Sequence, residues 1–177
     1  MRMFFTVALL ARLAMAEAGS GNPPVDEYQV KAAFLFNFAK FVEWPPQSFK
    51  SASDPILICV AGANPFGRSL EEAIGGKSVD GRKLAIRPIS DLNQASGCHI
   101  VFMASAPRKH ALQDDALAGI LTVGESEGFA AAGGVIEFKL DGGKIKLEIN
   151  VDAAERRQLR ISSKLLSLAK IVKGPGN

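Results

Sequence analysis

Residues 55–67 read Pro55-Ile56-Leu57-Ile58-Cys59-Val60-Ala61-Gly62-Ala63-Asn64-Pro65-Phe66-Gly67. Ile56–Val60 is short, continuous and branched, the pattern of a strand buried on both faces. Gly62 breaks the run. Asn64 followed by Pro65 then opens a helix, with asparagine as cap and proline at the first helical position. That helix is expected over Pro65–Ile74, with Gly75-Gly76 closing it. The same rhythm repeats downstream. Lys83–Ile89 alternates as a strand, Ser90–Ala95 is a helical turn, and His99–Ala104 is a buried strand. Arg108–Ala118 follows as a helix and Ile120–Val123 as a strand. Strands joined by helical crossovers predict a largely parallel sheet.

Upstream, Asp26 can cap a helix, and Gln29 three residues on completes a capping-box pattern. Val30, Phe34, Phe38 and Phe41 share one face of that helix, with Leu35 and Val42 beside them. Trp44-Pro45-Pro46 ends it, because a residue before proline leaves the helical region. Phe36 falls on the opposite side, near Lys40 and Glu43; it is either a contact point or packed under a neighbour. Downstream, Val135–Leu140, Asp141-Gly142-Gly143 and Lys144–Ile149 form a hairpin, Asp-Gly supplying the positive φ of a tight turn. A closing helix is expected over Ser163–Val172. The fold class is therefore α/β: one domain, a mostly parallel sheet of about six strands with a C-terminal antiparallel hairpin, flanked by helices.

The 177 residues suit a single domain, and 47% hydrophobic with 22% charged residues excludes a disordered chain. The net charge of +3 comes without basic clusters, which argues against a nucleic-acid partner. Two cysteines and two histidines cannot make a four-cysteine zinc site, and no pair has the short ligand spacing. No metal or other cofactor is expected.

Residues 1–16 carry Arg2, an apolar run from Met3 to Ala11, and Ala14-Met15-Ala16 as a small-x-small cleavage signature. They are expected to be a signal peptide cleaved after about Ala16, with residues 17–24 as a flexible leader and 25–173 as the folded domain. Arg2 and Arg12 would leave with the signal, so the mature chain would be nearly neutral. An exported chain meets an oxidising compartment, where Cys59 and Cys98 can pair or remain as two buried thiols. Cys59 lies late in its strand and Cys98 just before another. A bridge needs Cα atoms within about 7 Å, so pairing demands staggered strands or a later start at Cys98.

Catalytic motifs are incomplete. Gly124-Glu125-Ser126-Glu127-Gly128 matches G-x-S-x-G after a strand, but both histidines, His99 and His110, precede it, and two glutamates flank the serine. Gly76-Lys77-Ser78 resembles the end of a phosphate-binding loop, but Glu71 stands where its first glycine belongs. Gly62, Asn64 and Gly67 mark a strand-turn-helix whose helix N-terminus could hold an anion or a small ligand. A binding or regulatory module remains by elimination, with ligand binding at that turn as the alternative.

Several blocks carry a family resemblance. They are Tyr28–Pro45 (Tyr-Gln-Val-Lys-Ala-Ala-Phe-Leu-Phe-Asn-Phe-Ala-Lys-Phe-Val-Glu-Trp-Pro), Ile58-Cys59-Val60, Cys98-His99-Ile100-Val101-Phe102 and Leu121-Thr122-Val123-Gly124. Gly133–Phe138, Glu148-Ile149-Asn150 and Ile161–Ala169 continue the series. In this order they resemble the YfiR family of periplasmic repressor proteins. The resemblance implies a non-enzymatic periplasmic regulator. It would bind the periplasmic sensor domain of an inner-membrane diguanylate cyclase, or of a sensor histidine kinase as in some relatives. Release by an OmpA-like outer-membrane lipoprotein would raise cyclic di-GMP and biofilm formation. It also implies a homodimer and a Cys59–Cys98 disulfide, while the second bridge of some members has no cysteines here. Candidate partner contacts are the exposed side of the hairpin, Arg156, Arg157, Leu159 and Arg160, together with Phe36.

Overall fold

A computed structural model of the protein describes residues 26–108, 110–113 and 115–174, so the expected signal peptide and leader lie outside the described residues. Asp26 caps α1 (Glu27–Phe41), its carboxylate accepting from the Tyr28 N–H at 3.1 Å. The cap is therefore a local turn onto Tyr28 instead of the box expected with Gln29. α1 buries Lys31, Ala32, Leu35, Phe38 and Ala39. This stripe is turned from the expected line, and Val30, Phe34 and Phe41 are only half-buried. The small residues at 32 and 39 let this side lie close to its neighbours, while the rings of Phe34 and Phe41 fill the flanks.

After β1 (Val42–Glu43) and a short 3-10 turn at Pro46–Ser48, β2 (Ile56–Ala61) enters the sheet. The helix expected from Pro65 begins only at Ser69: α2 is Ser69–Ile74. Residues 65–68 are turns, started by the Asn64 carboxamide oxygen accepting from the Phe66 N–H at 2.9 Å. β3 (Ser78–Val79), β4 (Arg82–Ile89), β5 (Ile100–Met103) and β6 (Leu121–Gly124) follow. The helix expected over Arg108–Ala118 is absent among the described residues; two 3-10 turns, Ala111–Gln113 and Asp115–Leu117, stand in its place. Both Leu112 and Leu117 are buried. Five residues apart on an α-helix they would diverge by about 140°, so a regular helix could not bury both against one surface.

β7 (Ile136–Asp141) and β8 (Lys144–Asn150) form the expected hairpin, followed by α3 (Val151–Arg156), β9 (Arg160–Ile161), α4 (Ser163–Leu166) and β10 (Ala169–Val172). The closing helix is thus one turn long. Its expected second half is a strand that pairs in parallel with β8, Ala169 facing Leu147. The open edge of β8 supplies backbone partners that outweigh the helical pattern of the sequence.

The main sheet runs β10-β8-β7-β6-β5-β2-β4-β3, parallel throughout except at β7/β8 and β3/β4. The chain starts at β2, steps outward to β4, and then returns to lay β5, β6 and β7 on the other side. β1 and β9 make a separate antiparallel pair. The large core lies under the helices, where Ile58, Val60, Ile100, Phe102, Leu121 and Val123 meet Leu35, Phe38 and Leu70. The opposite face carries a smaller cluster, including Cys59, Val101, Met103, Leu112, Leu117 and Phe129.

Cys59 and Cys98 are bonded, with Cα atoms 5.9 Å apart. The ladder places Ile58 against Ile100, so a straight chain would leave Cys98 well short of Cys59. The Ala95–Cys98 turn, with Gly97 at φ +78°, folds back across the face of β2 and closes that gap. At the same end of the sheet His99 is buried, stacked on Phe49 with centroids 4.4 Å apart. Its Nδ1 accepts from the Leu57 N–H at 3.0 Å, which leaves Nε2 protonated to donate to the Ser48 carbonyl at 3.1 Å. Burial pushes this imidazole below its ordinary value, with the Ser48 hydrogen bond opposing and the charge of Arg82 assisting.

Two outcomes follow. Reducing the disulfide, which closes a loop of about 40 residues, should cost roughly 4 kcal/mol in urea unfolding as an upper figure; unchanged stability would show that the bridge is not a staple. Because His99 has a depressed folded pKa, its contribution is complete above the unfolded value and is lost as pH falls. Thermal stability should therefore drop from about pH 7 to about pH 5, and His99→Gln, which still accepts and donates but does not titrate, should flatten that slope.

Candidate functional site

The β7–β8 hairpin turns on Gly142-Gly143, at φ +55° and +75°, with Asp141 paired to Lys144 as the last rung. Positive φ at both central residues is what a two-residue turn of this type requires. The loop is thus Gly-Gly, and Asp141 belongs to the strand instead of the turn. Leu140, beside this tip, is 60% exposed; Leu168 is 70% and Ile171 50% exposed on and before β10. Leu140 and Leu168 line a shallow cavity of about 430 Å³ together with Lys139, Lys146, Glu148 and Lys170. Glu148 lies between two cations, 3.2 Å from Lys170 and 3.8 Å from Lys139. The arrangement is an apolar centre with a charged rim, the composition of a protein-binding patch. It lies at β10, the outermost strand among the described residues, and an edge strand can accept a further chain.

The other expected site residues disperse. Arg156 and Arg160 are exposed, and Arg160 lies 3.8 Å from Glu43 across the β1–β9 pair. Arg157 and Leu159 are buried, so neither can meet a partner on the folded surface. Arg157 donates to Thr122 Oγ1, to the Leu112 carbonyl at 2.8 Å and to the Gly133 carbonyl at 3.1 Å. Burial, with the neighbouring Arg156 charge, pushes its guanidinium down to about 10. This cation ties the 3-10 turns, β6 and the Gly133 loop together without a carboxylate. Phe36 is half-buried and lies under two ammonium groups, Lys77 at 4.5 Å and Lys40 at 5.7 Å from its ring centre.

The Gly62–Gly67 turn offers no helix N-terminus, since α2 starts after it; the Gly62 N–H is already bonded to the Ile89 carbonyl at 2.9 Å. The G-x-S-x-G stretch is structural. Glu125 accepts from Lys31 and, at 3.0 Å, from the Tyr28 hydroxyl. Burial alone would lower the Lys31 ammonium, but its bonds to Glu125 and Glu27 outweigh this and hold it above its usual value. A Cβ on Gly124 would stand 2.3 Å from the Phe129 ring, and one on Gly134 2.1 Å, so the two glycines form the slot that holds Phe129. His99 is engaged as above, and His110 bonds Gln113. Among the described residues no group of three or more His, Cys, Asp or Glu could hold a metal, and no helix is long and apolar enough to cross a membrane.

The YfiR/HmsC-like family profile matches residues 28–170. The chain belongs to this family. No curated protein sequence matches it. The matched segment runs from α1 to β10, so the exposed edge belongs to the family domain itself. Leu140, Leu168 and Ile171 were missed as site residues in the sequence because the last two fit a helix pattern; only Leu140, next to a turn signal, carried a cue.

Arg157→Ala should destabilise the protein by about 3 kcal/mol in urea unfolding, since it strips the Leu112 and Gly133 carbonyls of their partner and leaves Thr122 Oγ1 only the Val135 N–H, whereas Arg156→Ala should stay within about 0.5 kcal/mol. Equal effects would refute the structural role of Arg157.

Proposed function

We infer that this protein is a periplasmic, non-enzymatic regulator. It binds the periplasmic sensor domain of an inner-membrane signalling protein, a diguanylate cyclase first and a sensor kinase second, and holds it inactive. Family membership supports the regulatory role. The observation that carries the binding reading is the cavity at exposed Leu140 and Leu168, beside an edge strand that also exposes Ile171. A regulator of this kind acts only through differential affinity: it must bind the inactive sensor conformation better than the active one. An OmpA-like outer-membrane lipoprotein competing for the regulator would relieve the block, and two copies of the regulator would pair as family members do. The charged rim of Lys139, Lys146, Glu148 and Lys170 would set orientation and partner choice, while the leucines supply the apolar centre and Ile171 extends the contact along the strand edge.

Deleting the gene should raise cellular cyclic di-GMP, and the wild-type copy should restore it. Leu168→Glu and Ile171→Glu, both at exposed positions, should fail to restore it while keeping the wild-type melting temperature. Unchanged cyclic di-GMP in the deletion under inducing conditions would remove the cyclase reading, and full complementation by both variants would remove the patch.

A further inference from the structure

The face of the sheet opposite the helices is thinly covered. Between the 92–98 segment and the two 3-10 turns runs a groove of about 1060 Å³. This is the upper range of cavities that take metabolite-sized ligands. Lys50, Arg87, Arg108 and His110 line it, and no carboxylate does among the described lining residues. Among the described residues Arg108 pairs with Asp91 at 3.4 Å, and that pair is exposed. The floor is apolar, with Leu92 and Ile120.

Arg87 is held against the segment that walls the groove. Its Nη2 donates to the carbonyls of Gln94 at 3.2 Å and Ser96 at 2.7 Å, and lies 3.0 Å from Cys98 Sγ. These contacts lock the guanidinium over the disulfide. Its Nε is buried and has no partner, and it is the one such side-chain atom among the described residues. A guanidinium fixed at the disulfide shares one groove with three further basic groups and an apolar floor, and this positive lining without a carboxylate among the described lining residues suits an anion.

We propose that this groove binds a small organic anion, its phosphate or carboxylate held by Arg87, Lys50, Arg108 and His110 and its apolar body laid over Leu92 and Ile120. The site is distinct from the β10 edge, so it stands or falls independently of the partner-binding reading.

The test is isothermal titration calorimetry of the purified protein with phenyl phosphate, against inorganic phosphate. Saturable one-to-one binding of phenyl phosphate is expected, at least about tenfold tighter than inorganic phosphate. Arg87 variants would also disturb the Ala95–Cys98 turn, so the diagnostic variant is Lys50→Gln/Arg108→Gln, at two exposed positions. It should weaken binding by about tenfold with no change in the ligand-free melting temperature, whereas Lys164→Gln on α4 should bind like the wild type. No saturation up to about 10 mM phenyl phosphate overturns the proposal. So does equal affinity of the double variant, or equal affinity for the two probes.

Discussion

The disulfide between Cys59 and Cys98 governs the half of the molecule that its helices leave open. On the helix side, packing alone suffices: Phe38, Phe102 and Phe138 meet with centroids 5.8 and 6.3 Å apart, and Phe66 lies 4.7 Å from Phe102. On the other side the cover consists of short 3-10 turns, held by buried Leu112 and Leu117, by Arg157 and by the disulfide. The covalent bond holds the Ala95–Cys98 turn onto β2. Its cost in the folded state is small, because the entropy of closing the loop is lost from the unfolded chain.

That asymmetry distributes function over the surface. Aromatic packing and the Lys31–Glu125 pair fix α1 to the end of β6, so the helix side is rigid and closed. Arg157 does the same for the loops around Thr122 and Gly133. What is left open is the β10 edge and the groove behind the disulfide. The edge combines an outermost strand with exposed Leu168 and Ile171, a surface suited to another protein chain. The groove combines a locked guanidinium with an apolar floor, a surface suited to a small anion.

Much of the architecture was legible in the residues. The continuous apolar strands at Ile56–Val60 and His99–Ala104, the Asp26 cap, the hairpin and the parallel rhythm all follow from local pattern. The segments that misled did so for identifiable reasons. Leu112 and Leu117 look helical in composition but must bury on the same side, which two short turns achieve and one helix does not. Ala169–Val172 looks helical until β8 offers its edge. Pro65 looks like a helix start, but the Asn64 turn delays it to Ser69. The partner residues suffered most: Arg157 and Leu159 read as surface, yet one bonds three buried acceptors and the other belongs to the core.

The sequence by itself determined the fold class, because periodicity and turn chemistry act locally; its ordered blocks carried the family resemblance, and its two cysteines left only one possible pairing. Only the tertiary structure decided which residues face outward at the β10 edge and which cations line one groove. Those are properties of surfaces assembled from segments far apart in the chain, here residues 50, 87 and 108, or 140, 168 and 171. Burial there depends on which neighbour arrives to cover a side chain, and nothing in the local pattern encodes that neighbour.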